Sequence, residues 1–340
     1  MIKNFHRLSE FKEDILASKK TIFERGILAG FHSLDKLASF KKGYTTVIYS
    51  APHTGKSVIT LDLLMSIAER EGLKICCYSP EFRKKEELAH ALIQTRLSKT
   101  MYGEKAVAYT DEEFMAAFDF VNDNFVILSK AKRNKEGTQE KTTLKKVYSL
   151  VAEAQKEYNI KFDLLFIDPF NFLEKTQEES KMLTQDYVLD VNDMMAEFSE
   201  VLDLHTIISA HTRDIDLTID KDTNIQYYPV PHPSQIMSGQ SWFRGAYQII
   251  AFWRCPAGVI EKETGYAYPE DATDIIVQKS KPFGSGKLGK CRLYFDKSKH
   301  RMFEIIGTKS FFANEYDNPT AKPKQQELKP NYGFDDNIQF

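Results

Sequence analysis

Along most of the chain the apolar residues switch between two spacings. Continuous apolar runs of strand length lie at 45–49, 74–79, 125–128, 164–167 and 206–209. Between them apolar residues recur every three or four positions, which predicts helices over 84–97, 111–122, 143–158 and 181–204. A further helix leaves residue 56, with Ile59, Leu63, Leu64 and Ile67 on one face. Strands apolar on both faces and separated by amphipathic helices predict a mostly parallel sheet covered on both sides. After about residue 245 the runs at 247–253, 274–278, 290–295 and 302–306 follow one another through short turns, which predicts an antiparallel C-terminal edge. The expected fold class is therefore α/β, and no internal repeat interrupts it. The loop 214–233 and the tail from about Asn314, with Pro319, Pro323 and Pro330, read as poorly ordered.

The polar stretch Ser50-Ala51-Pro52-His53-Thr54-Gly55-Lys56-Ser57 lies between the first strand and the helix that follows it. Strand, turn and helix around Gly-Lys-Ser is the context that a phosphate-binding P-loop needs. Backbone N–H groups in such a turn and at the helix N-terminus converge on one anion. Lys56 would reach the β- and γ-phosphates, and the Ser57 hydroxyl would ligate Mg²⁺. Ser50 stands where the strict pattern has Gly.

Three further residues end apolar strands on the same expected edge of the sheet. Asp168 closes Leu164-Leu165-Phe166-Ile167 and is placed to hold Mg²⁺ through water, or else simply to cap a strand. Glu81 follows the run 74–79 and can accept a proton from a water in line with the γ-phosphate, or else serve as an N-terminal helix charge. His211 ends Thr206-Ile207-Ile208-Ser209-Ala210 and can report the γ-phosphate by hydrogen bonding, or else be structural. The long polar segment after it, 212–240, suits a nucleotide-driven switch.

Composition adds limits. With 340 residues, 42% hydrophobic and 28% charged, the chain is an ordinary globular protein, large enough for one α/β domain or two small ones. No run approaches the ~20 apolar residues of a membrane span, and the charged stretch 1–18 lacks a signal-peptide core, so a cytoplasmic protein is expected. Cys76, Cys77, Cys255 and Cys291 lack metal-ligand spacing and read as buried free thiols. The net charge of −2 announces no nucleic-acid partner, but the distribution is uneven. Lys130, Lys132 and Arg133 cluster in a loop, and residues 279–301 hold eight Lys/Arg against the single acid Asp296.

Taken in order, these segments resemble the RecA-type motor domain of DnaB-family replicative helicases, phage and mitochondrial relatives included. Gly30-Phe31-His32-Ser33-Leu34-Asp35 resembles that family's Thr-Gly-Phe-x-x-Leu-Asp opening motif, and Ser79-Pro80-Glu81-Phe82 its Ser-Leu-Glu-Met segment, whose Glu is the catalytic base. Asp168 falls at Walker B and His211 at the sensor position. Ser238-Gly239 through Ile250 resembles the Ser-Gly-x-x-x-Gln-x-Ala-Asp-x-Ile segment. Lys279-Ser280-Lys281-Pro282-Phe283-Gly284 resembles the Lys-x-Arg-Asn-Gly segment that carries the trans-acting finger. Lys281 replaces the finger arginine, a point charge in place of a bidentate fork, and Lys279 is available to share the role.

The resemblance implies a RecA-like P-loop NTPase core over 28–310, preceded by a linker helix segment, 1–27, and followed by a flexible tail, 311–340. It implies an ATP–Mg²⁺ site shared between subunits, with Lys56, Ser57, Asp168 and Glu81 from one and Lys279 and Lys281 from the next. A closed ring, a hexamer, then translocates on single-stranded DNA, gripping its backbone through loops in 212–240. Host or phage origin stays open. So does a second reading, a recombinase or recombination mediator that coats DNA as a filament, and a third, a regulatory ATPase that assembles on proteins.

The chain ends Tyr332-Gly333-Phe334-Asp335-Asp336-Asn337-Ile338-Gln339-Phe340, which resembles the acidic, Phe-terminated tip of bacterial single-stranded-DNA-binding proteins. As an ordinary acidic tail it does nothing specific. As a docking tip, it offers an apolar anchor, a free carboxylate and two Asp to a primase, polymerase or other replisome protein. Deleting residues 335–340 is then expected to leave DNA-stimulated ATPase intact while weakening recruitment of that partner. Fluorescence anisotropy of a labelled 331–340 peptide checks it, and binding that survives removal of Phe340 rules this mode out.

Overall fold

Strand β1 (Thr45–Ser50) is buried at every position, so it is stable only inside a sheet covered on both faces. The computed structural model, which describes residues 6–19, 21–130, 141–213, 215–281 and 284–316, places it there. The remaining strands are β2 (Ile75–Tyr78), β3 (Phe125–Leu128), β4 (Leu164–Ile167), β5 (His205–His211), β6 (Thr218–Ile219), β7 (Gln226–Tyr227), β8 (Gln248–Arg254), β9 (Ala272–Ser280), β10 (Gly289–Asp296), β11 (Arg301–Ile306) and β12 (Lys309–Phe312). Ten of them form one sheet in the order β12-β11-β10-β9-β8-β1-β5-β4-β2-β3. The strands from β8 to β3 run parallel, and β9 to β12 extend the sheet antiparallel. The antiparallel part thus begins at β9, one strand later than the spacing near residue 245 implied, because β8 still runs beside β1.

The helices are α1 (Lys12–Ser18), α2 (His32–Asp35), α3 (Lys56–Glu71), α4 (Lys85–Leu97), α5 (Asp111–Asn124), α6 (Leu144–Tyr158), α7 (Thr184–Val201) and α8 (Gly239–Gly245). Alternation along β1 sends Ile48 to a core shared with α3, α4 and α5, and Val47 and Tyr49 to a second core with α6, α7 and α8. Helix α3 stops at Gly72, whose left-handed conformation lets its N–H reach Ala68 O. Thr110 and Glu113 form a capping box at the start of α5. No described helix is long and apolar enough to cross a membrane. All four cysteines are buried and free.

Two parts of the chain are better tied down than their composition suggested. Within the segment expected to be poorly ordered, β6 and β7 form a hairpin. Trp253 Nε1 donates to Tyr228 O at 2.8 Å and Gln278 Nε2 to Pro231 O at 2.9 Å, pinning its return path. Packing also runs past the boundary expected at residue 310. β12 crosses it, and Asn314 donates from its backbone to Gly30 O at 2.8 Å and from Nδ2 to Ser66 O at 2.9 Å. The Phe-terminated tip, together with Lys132 and Arg133, lies outside the described residues.

A buried histidine ties the near edge of the sheet together. His205 Nδ1–H donates to Lys41 O at 2.6 Å, which leaves Nε2 to accept from Thr46 Oγ1 at 2.9 Å. With its one proton so used, Thr46 meets the Gln248 amide at 2.8 Å as an acceptor, which turns the Gln248 NH₂ toward it. Burial pushes His205 down from 6.5 to about 4, against the Lys41 carbonyl, which raises it. A histidine held neutral contributes fully above the unfolded value and progressively loses that contribution as the pH falls toward 4. Between about pH 7 and pH 4.5 this group is expected to cost about 2–3 kcal/mol of unfolding free energy. Urea denaturation at several pH values measures it. A His205→Gln variant with an undiminished acid slope would assign the loss elsewhere.

Candidate functional site

The parallel strands β1, β4 and β5 end side by side, and ligands of such sheets bind above their C-terminal ends. The chain leaves β1 through a turn closed on itself: Ser50 Oγ and Thr54 Oγ1 both donate to Ala51 O, at 2.9 and 2.7 Å. His53 and Gly55 take left-handed conformations, with φ of 59° and 82°. A Cβ on Gly55 would meet nothing within 4 Å, so glycine is required there for its backbone angle and not for space. Gly55 caps α3, whose positive dipole end faces the turn.

Above this turn the sequence-predicted residues converge. Lys56 Nζ donates to Asp168 Oδ1 and to Ser209 Oγ, each at 2.7 Å. Ser209 Oγ donates to the same carboxylate oxygen in a short hydrogen bond. Ser57 Oγ lies 3.4 Å from the other oxygen, Oδ2. Asp168 is itself fixed from β2, its N–H donating to Tyr78 O at 2.9 Å. Its carboxylate is almost wholly buried and the Lys56 side chain is nine-tenths so. The hydroxyl and carboxylate oxygens of Ser57 and Asp168 are the hard donors that Mg²⁺ takes, in the number it uses when phosphates supply the rest. The residues present fit that ion.

His211 ends β5 at the rim of the crevice, its N–H donating to Asn171 Oδ1 at 3.1 Å. Burial lowers its pKa and Lys56 lowers it further, while the carboxylates of Glu81 and Asp168 push the other way. The imidazole is therefore neutral near pH 7, able both to donate and to accept. Glu81 is exposed, three residues beyond the end of β2. Beyond His211, Gln185, Arg213, Ser234, Ser238, Gly239 and Gln240 line a polar cleft of about 240 Å³.

Lys279 and Lys281 do not join this group. In register, Ser280 lies beside Gln248, and Gln248 beside Thr46, at the start of β1. Both lysines thus sit at the edge of the sheet opposite the turn at Ser50, about 13 Å away along the strand direction alone. Lys279 is almost buried. Its ammonium packs over the Phe243 ring at 5.2 Å and donates to the carbonyls of Phe243 and, at 3.2 Å, Arg244. Burial, and then Lys281, push it down to about 8. Lys279 is a C-cap of α8 in this conformation. Lys281 is exposed, with Nζ 3.3 Å from Arg244 O.

Much of the basic run 279–301 is neutralised within the chain. Arg292 meets Glu261 and Asp274, Lys290 meets Glu263, Lys297 meets Asp271, and Arg301 meets Asp62 and Glu69. That composition therefore does not make a nucleic-acid face. Ser209 and Asn171 belong to the site but were not singled out from the sequence. The signal for Ser209 was present: a hydroxyl inside the apolar run Ile207-Ile208-Ser209-Ala210.

No family model and no curated protein matches this chain. Among solved structures, the ATPase domain of a phage DnaB-like helicase matches 89% of this chain and 100% of its own, with a TM-score of 0.65 at 15% identity. A DnaB-like replicative helicase, from a structure describing its interactions with primase, matches 90% of this chain and 69% of its own, with a TM-score of 0.64 at 16% identity. The RadB recombinase matches 82% of this chain with a TM-score of 0.48 at 12% identity. At these identities the likeness is one of fold: the chain has the RecA-like α/β fold, mostly parallel with an antiparallel edge.

Proposed function

We propose that this chain is the ATP-hydrolysing motor of a DnaB-type replicative helicase, a ring that moves on single-stranded DNA. The observation that carries the reading is the convergence of Lys56, Ser57 and Asp168 above β1, in the fold of DnaB-like ATPase domains. The turn 50–57 cradles the phosphates of ATP. Lys56 leaves Asp168 for the β- and γ-phosphates, and Ser57 and Asp168 hold Mg²⁺, which neutralises charge developing on the transferred phosphoryl group. Glu81 accepts the proton of the attacking water. His211, neutral and hydrogen-bonding in either sense, reads whether the γ-phosphate is present.

Lys281 faces away from its own site, at the opposite edge of the sheet. A cation so placed serves the neighbouring subunit's phosphates, and head-to-tail contacts of this kind close into a ring, here taken as a hexamer. Lys279, tied to α8, supports Lys281 and is not itself the finger. Arg213 and the hydroxyl and amide groups around it supply the backbone contacts for single-stranded DNA, which offsets the acidity of the loop that carries them. The motor spans 28–310 and the packed residues that follow, and a primase or other replisome protein docks on the tail.

Lys56→Ala and Glu81→Gln are both expected to lower DNA-stimulated ATPase by about 10²-fold or more, by separate routes. Lys56→Ala loses nucleotide binding as well. Glu81→Gln still binds ATP, and a near-normal hydrolysis rate in it removes Glu81 from the role of base.

Lys281→Ala and Lys56→Ala subunits, each inactive alone, are expected to regain part of the activity when mixed, because some interfaces then pair an intact turn with an intact lysine. A mixing titration tests this, with subunit exchange shown independently. Absence of recovery means that Lys281 acts within its own subunit or not at all.

A further inference from the structure

The group formed by Lys56, Asp168 and Ser209 has one member that no role above uses. Ser209 is fully buried and owns a single hydroxyl proton. It gives that proton to Asp168 Oδ1, so a lone pair is what receives Lys56 Nζ at 2.7 Å. Without nucleotide, then, the carboxylate has two partners on one oxygen, a lysine and a serine. The lysine is the partner that must leave when phosphates arrive. Its departure strips a buried carboxylate of the cation that neutralises it, which is costly until another cation takes its place. Ser209 cannot leave. It sits within β5, beside Ile48 of β1, with both neighbouring strands hydrogen-bonded to β5.

We infer that Ser209 is a positioning residue for the metal carboxylate. It holds Asp168 Oδ1 while Lys56 turns to the phosphates, so that Oδ2, the oxygen near Ser57, stays presented to Mg²⁺. The inference rests on the ATPase reading and adds to it an exchange of partners at one carboxylate. Nucleotide draws Lys56 away, Mg²⁺ replaces its charge, and each event favours the other. Ser209 keeps the carboxylate in place between the two. Removing a group that orients a metal ligand lowers metal affinity by about 10–100-fold, and a serine hydroxyl bonded to the ligand oxygen is such a group.

The test uses the full chain, a fluorescent ADP analogue titrated over a range of Mg²⁺ concentrations and in EDTA, and electron paramagnetic resonance of bound Mn²⁺. Ser209→Ala is expected to raise the Mg²⁺ concentration needed for half-maximal tightening of ADP by about 10-fold, with a matching loss of bound Mn²⁺. Its ADP affinity in EDTA and its melting temperature stay near those of the unmodified chain. Ser209→Thr, which keeps the hydroxyl and suits a strand, restores the metal dependence. An unchanged Mg²⁺ dependence in Ser209→Ala overturns the inference. Equal weakening with and without Mg²⁺ also overturns it, since that marks a structural role. Failure of the unmodified chain to bind ADP at all counts against the ATPase reading itself, and is distinguishable because it precedes any comparison of variants.

Discussion

The ammonium of Lys56 and the carboxylate of Asp168 are both withdrawn from water above β1, and the geometry of the crevice follows from the need to keep them paired. Neither ion is tolerable there alone. Asp168 is placed by β4 and by its backbone bond to Tyr78, and Lys56 by the first turn of α3. The turn between β1 and α3 must therefore take a fixed shape, with left-handed residues at His53 and Gly55 and two hydroxyls closing on Ala51. A pair of this kind contributes little net stability, since desolvation offsets most of the attraction. Its value lies in being exchangeable. A triphosphate with its metal presents the complementary charges in the same order, so binding substitutes one neutralised arrangement for another without exposing a bare charge.

For that exchange to be reproducible, α3 must not rotate or slide as its first residue changes partner. Six residues on from Lys56, Asp62 is fully buried and pushed up to about 6 by that burial, with Arg301 opposing the shift. Arg301 lies on β11, in the antiparallel edge, and also meets Glu69 at 2.9 Å, while Met302 N–H donates to Asp62. The strands added after β8 thus do more than widen the sheet. They reach across and fix the helix whose N-terminus carries the phosphate-binding turn, by buried charges that have no alternative partner in another register. The packing of Asn314 against Gly30 and Ser66 closes the same side.

The parallel half of the sheet was legible because its strands are apolar on both faces and its helices amphipathic. The bounds read for β3 and β4 agree with those observed. β12 and the hairpin of β6 and β7 escaped because they are short and half exposed, and their order comes from distant groups such as the Trp253 indole and Pro231 carbonyl. Within the site, Lys56, Ser57 and Asp168 could be placed from spacing because each ends or begins a regular element. Ser209 could not, since its importance depends on which strand lies next to β4. Charge was the least transferable signal. Eight basic residues in a row of twenty-three suggest a surface for nucleic acid, yet most are spoken for by acids brought in from remote segments.

Lys279 and Lys281 show why adjacency in sequence does not share a function equally. In a strand, residues two apart point to the same face, so both ammonium groups approach the C-terminal carbonyls of α8. The helix end has room for one desolvated cation, and Lys279 takes it, close under Phe243. Burial and the neighbouring charge then make a second buried ammonium unfavourable, so Lys281 stays in solvent at the sheet edge. One lysine becomes the support and the other the free charge. The same helix begins at Ser238 and Gly239, which line the polar cleft, so the support of Lys281 and the wall of that cleft are two ends of one rigid, seven-residue element. Displacing Lys281 toward a phosphate on a neighbouring subunit would pull on the carbonyl end of α8, and the cleft is where that pull would be felt.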